Sequence, residues 1–183
     1  MGFEAFEVYL YPIAGSPMGS TIESATLSAL VSEMQTLWPE FRSDTVEIAH
    51  LFKPLSANAA ILVYETSEGL LQLGVHFDPA YPMFALGFAY CNPRSVDGPF
   101  CAITEGLMQR YGLYCHIHPD LAPEQEGISV DIVALERVRA VLIPSIEYNR
   151  KLWHSEVGTE EEAILRPGDA VARFMTPLLM NNP

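Results

Sequence analysis

A chain of 183 residues with 49% hydrophobic and 18% charged side chains has the size and apolar content of one folded domain, and no long segment has the polar composition of a disordered chain. Its net charge of −13, from 23 acidic against 10 basic residues, repels phosphate backbones and so argues against nucleic acid as a partner. No stretch approaches the roughly 20 apolar residues that span a bilayer, residues 1–10 lack a leader pattern, and Cys91, Cys101 and Cys115 are odd in number without a Cys-x-x-Cys pair. These features predict reduced thiols and a cytoplasmic protein with no membrane association.

In chain order, Phe6, Val8 and Leu10 alternate with Glu7, Tyr9 and Tyr11, the period of two expected of a strand. Gly15, Pro17 and Gly19 mark a loop. Ser20 and Glu23 have capping-box spacing ahead of a helix carrying Leu27, Leu30, Val31, Met34 and Trp38, which Pro39 ends. A second strand is predicted over 46–52. Apolar runs at 59–64 and 70–77, separated by 65–69, predict an antiparallel hairpin. Residues 84–91 predict a further strand. A helix then starts near Pro99, carries Ile103, Leu107, Met108 and Tyr111, is interrupted by Gly106 and stops at Gly112.

Residues 113–118 read as a short strand and 123–127 as a loop. From Ser129 the apolar residues Ile132, Val133, Leu135, Val138, Val141 and Leu142 predict a helix that Pro144 ends or kinks, with 140–143 open to a strand reading. Residues 147–156 are predicted helical. Thr159 and Glu162 offer another capping box before a last helix through Phe174. The expected fold is a single α+β domain over 1–183: a mixed or largely antiparallel sheet of about five or six strands packed against helices, with a helical C-terminal third.

Three constellations bear on chemistry. His116 and His118, two apart on a strand, share a face and with Asp120 form a candidate metal set. The run matches the opening of the His-x-His-x-Asp-His pattern of metallo-β-lactamase-like hydrolases, but Leu121 stands where the next histidine is required, and the resemblance fails. Other ligands for such a site are His50, His76 or a carboxylate brought near by folding.

Cys101, near a helix start, is a candidate nucleophile with His116 or His118 as its base, set against the reading of a buried apolar cysteine. Arg137, Arg139, Arg150 and Lys151 concentrate basic charge in one helical region, either for an anionic ligand or for pairing with carboxylates such as Glu136 and Glu147.

No Gly-x-Ser-x-Gly elbow or phosphate-binding loop occurs, and no cofactor is expected. Tyr9, Tyr11, Tyr81, Phe84 and Tyr90 place aromatics on or beside strands, where either helices or a partner would cover them.

The functional expectation is a non-enzymatic protein-binding or inhibitory domain, for example an immunity protein that occludes a toxin with a basic cleft. The alternatives are a small hydrolase using Cys101 with His116 or His118, a metal site built on His116 and His118, and a homo-oligomeric structural subunit.

Overall fold

The computed structural model describes residues 5–14, 27–43, 59–65, 70–76, 83–90, 92–118 and 129–157. Strands β1 (Ala5–Pro12), β2 (Phe41–Ser43), β3 (Ala59–Glu65), β4 (Leu70–His76), β5 (Phe84–Ala89), β6 (Leu113–Ile117) and β7 (Val130–Ile132) form one sheet. Helices α1 (Leu27–Leu37), α2 (Asp97–Tyr111) and α3 (Val138–Val157) accompany it, giving the predicted α+β class. Strand order is β2-β3-β4-β5-β1-β6-β7, and every pairing is antiparallel. Because β5 and β6 both run opposite to β1, they are parallel to each other, and α2 makes the crossover between them.

The period of two sorts the sheet into unlike faces. Phe6 pairs with Phe88, Val8 with Leu86 and Leu10 with Phe84 across β1 and β5, while Val8 and Leu10 also face Ile117 and Cys115 on β6. All are buried, as are Leu71, Leu73 and Val75 on β4 and Leu62 on β3. Against this layer pack Leu30 and Met34 of α1 and the α2 stripe Phe100, Ile103, Leu107 and Tyr111, each set at the three-to-four residue spacing of one helix face.

The helix ends follow local chemistry. Pro39 cannot extend α1, and the amide of Phe41 turns back to the Trp38 carbonyl at 3.0 Å to start β2. Gly112 adopts the left-handed conformation (φ 62°) that favours glycine, and its N–H caps the Met108 carbonyl. Gly106 does not interrupt α2. A Cβ there would stand 2.8 Å from Trp38 Cζ2, so the glycine is where the end of α1 seats against α2. The two helices are also joined through Glu33, which accepts from Arg110 and, at 2.7 Å, from the Tyr111 hydroxyl.

The C-terminal region differs from expectation at three points. Residues from Ser129 do not begin a helix, because Val130–Ile132 pair with β6, sending Ile132 into the core and Asp131 to the other face. The helix begins only at Val138, after a 3-10 turn over Leu135–Arg137, and takes in 140–143, which are not a strand. Pro144 neither ends it nor splits it. The carbonyl that loses its helical donor is that of Ala140, and both residues lie on the solvent side, where water replaces the bond.

Among the described residues the sheet has seven strands where about five or six were expected, because β2 and β7 are three-residue strands not foreseen. The predicted strand over 46–52, both predicted capping boxes and the last helix through Phe174 lie outside the described residues.

Candidate functional site on the open face of the sheet

With α1 and α2 packed on one face, the other carries Glu7, Tyr9 and Tyr11 from β1, Gln72, Gly74 and His76 from β4, Ala85 from β5, and Tyr114 and His116 from β6, all half-exposed. Gly87 lies among them, buried beneath the Glu7 side chain. The strand period that drives Phe6, Val8 and Leu10 inward is what turns the tyrosines outward.

Side chains on this face interact in rows. The Tyr9 hydroxyl donates to Glu7 Oε2 at 2.8 Å, and burial together with that carboxylate pushes the Tyr9 phenol above its ordinary value. Tyr11 and Tyr114 stack with ring centroids 5.6 Å apart, and Tyr11 meets His116 edge-on at 6.0 Å. Burial, Asp131 and Tyr11 also raise the Tyr114 phenol. His116 Nδ1 lies 2.7 Å from Asp131 Oδ1, its partner in the β6–β7 register. On β4, the imidazole of His76 reaches over Gly74, and burial lowers its basicity.

The candidate catalytic residues are not brought together. Cys101 is fully buried on α2 within the same core as Leu113, Cys115 and Ile117, the inward residues of β6. Tyr114 and His116 alternate with those residues onto the opposite face, and His118 is exposed just past the strand end. The sheet thus stands between the Cys101 thiol and the His116 imidazole. Burial pushes the Cys101 thiol up to about 11 and Cys115 up to about 12, so almost no thiolate exists near neutrality.

Native protein exposed to iodoacetamide at pH 8 is therefore expected to leave the Cys101 and Cys115 peptides unmodified, with both labelled once urea unfolds the chain. Rapid native labelling of Cys101 would contradict its placement.

Of the candidate metal set, His116 lies on the face opposite the packed helices and His118 is exposed just past the end of β6, while Asp120 and His50 lie outside the described residues. Among the described residues, no three His, Cys, Asp or Glu side chains converge on one point. Asp131 is the residue that sequence reasoning missed. Its only signal was one acidic residue between Val130 and Ile132, a pattern too short to separate strand from helix.

Within the basic region, Arg139 and Arg150 form ion pairs. Arg139 grips Glu105 through bonds of 3.0 and 3.2 Å, and Arg150 binds Asp97 at 2.5 Å and also Glu147. Glu147 further accepts from Arg94 at 3.0 and 3.1 Å, and that bond leads the groups that hold its carboxyl below the ordinary glutamate value. Arg139 and Arg150 are therefore occupied by carboxylates rather than offered to an anion.

Among the described residues, no helix is long and apolar enough to cross a membrane. No protein-family model, curated protein or solved structure matches this chain.

Proposed function

We propose that this is a non-enzymatic binding domain of the inhibitory or immunity type, which uses the open face of its sheet to engage another protein. The observation that carries the reading is the row of half-exposed Tyr9, Tyr11 and Tyr114 beside His76 and His116, on the face opposite the packed helices. Tyrosine gives a large, stiff contact area with a polar end, the residue type that concentrates at protein interfaces.

The net charge of −13 selects a basic partner and opposes nucleic acid, and attraction between opposite fields gives fast association. Four arginines, Arg94, Arg110, Arg139 and Arg150, are already counted in that net charge and pair with carboxylates within the fold. Three cysteines without a paired motif suit the cytoplasm, where such a partner would be met.

The test is parallel affinity capture from the native host with the intact protein and with a Tyr11→Ala, Tyr114→Ala double variant. A basic protein retained by the former and lost from the latter, with retention weakening as salt rises, is the expected result. Equal retention by both would place the contact elsewhere.

A further inference from the structure

We propose that the β1–β6–β7 end of the open face receives one arginine side chain of the basic partner, its guanidinium laid on the Tyr114 ring and bonded to the Asp131 carboxylate. This rests on the protein-binding reading above and names the side chain that the face selects.

Charge is unevenly spread over the sheet. Arg42 on β2 is the only lysine or arginine in the seven described strands. The register Arg42, Val63, Gln72, Gly87, Glu7 puts it four strands from β1, about 19 Å away. At the opposite end stand Glu7 and Asp131, the latter with 56% of its side-chain surface exposed. That end therefore draws a cation from a partner, whereas the β2 edge repels it.

Asp131 lies directly across from His116 in the β6–β7 register. Tyr114, two residues before His116, is its diagonal neighbour, a spacing of about 7–8 Å that a long side chain bridges. Tyr11 stacks on one face of the Tyr114 ring from the β1 side, with centroids 5.6 Å apart and planes inclined by 22°, which turns the other face toward β7 and its carboxylate. His116 Nδ1 holds Asp131 by one oxygen at 2.7 Å and leaves the second to accept from a guanidinium. After burial, Asp131 is the group that does most to raise the Tyr114 phenol, so its field reaches that ring.

A guanidinium meets both groups at once, with a flat face for the aromatic ring and N–H donors at its edge for the carboxylate. A lysine ammonium is a compact, strongly hydrated point charge that lacks the flat face. The face therefore selects arginine over lysine.

The test uses two peptides of equal charge, one of three Gly-Arg repeats and one of three Gly-Lys repeats, both with blocked ends. Each is titrated into the full chain at pH 7.5 and low salt, followed by the Tyr11, Tyr114 and His116 ring resonances. The arginine peptide is expected to bind about two- to fivefold more tightly and to shift those resonances. Tyr114→Leu and Asp131→Asn should each abolish the preference while the far-ultraviolet circular dichroism stays unchanged. Glu136→Gln, which removes one exposed charge from the 3-10 turn ahead of α3, should weaken both peptides alike and keep the preference. Equal affinity for the two peptides, or a preference that survives in both Tyr114→Leu and Asp131→Asn, would overturn the proposal. A basic protein captured through Tyr11 and Tyr114 by a chain that does not distinguish the peptides would overturn it too, while leaving the protein-binding reading standing. A preference seated at Tyr114 and Asp131 in a chain that captures no basic protein would support the arginine site and count against that reading.

Discussion

Replacing Arg150 with alanine is expected to cost about 3–5 kcal/mol of stability, measured as a drop in the urea midpoint at pH 7 with the slope unchanged. The guanidinium leaves α3 with 5% of its side-chain surface exposed and meets Asp97, itself 10% exposed, in the first turn of α2. It also binds Glu147 one turn back and lies over the Phe88 ring at 5.5 Å, so one side chain ties α3, α2 and β5 together. Its removal strands a buried carboxylate, which costs more than the pair itself contributes. Arg150→Lys keeps the charge but loses the two-pronged grip, and should fall between the two.

The pH dependence of that loss has a definite sign. Burial pushes the Asp97 carboxyl above its ordinary value against the opposing pull of Arg150. A raised folded-state value means that ionisation favours the unfolded chain, so stability linked to Asp97 is present below the unfolded value of about 3.9 and is lost as pH rises through the raised one. Without Arg150 that value rises further, and the deficit of Arg150→Ala should narrow as pH is lowered from 7 towards 5. A double change, Asp97→Leu with Arg150→Met, should recover most of the loss by removing both charges. A deficit under about 1 kcal/mol in the single variant would show that the pair is solvated rather than buried.

Phe100→Ala is expected to cost about 3–5 kcal/mol by the same urea measurement. Phe100 is fully buried and meets Phe6 of β1 and Phe88 of β5 edge-on, with centroids 6.0 and 5.4 Å away. It is the point where α2 is anchored on the centre of the sheet, and truncation leaves a cavity bounded by strands that cannot collapse into it. Phe100→Leu should retain most of that stability, and a truncation cost below about 1.5 kcal/mol would place the residue outside the close-packed core.

Long periodic segments were legible from the residues alone. The alternation of Phe6, Val8 and Leu10 yields β1, the two apolar runs yield the β3–β4 hairpin, and Gly112 ends α2 as its position suggests. Three-residue strands were not legible, because Phe41–Ser43 and Val130–Ile132 are too short for a period and owe their form to pairing with β3 and β6. Pro144 does not end α3, since the cost of proline in a helix falls at an exposed position, and exposure is a tertiary property.

The site was half legible for a related reason. Strand alternation puts Tyr114 and His116 on one face, but it does not say which face α2 covers, and that choice separates His116 from Cys101. The Asp97–Arg150 pair, 53 residues apart, carries no local signal at all.

If the tyrosine-bearing face of the sheet meets a basic protein, as proposed, site-specific photo-crosslinking in the native host should capture that protein there. A photoreactive phenylalanine derivative placed at Tyr11 or Tyr114 should trap the same basic protein, while the same group at exposed Gln109 on α2 should trap none. Adducts at Gln109 with none at Tyr11 or Tyr114 would contradict the account.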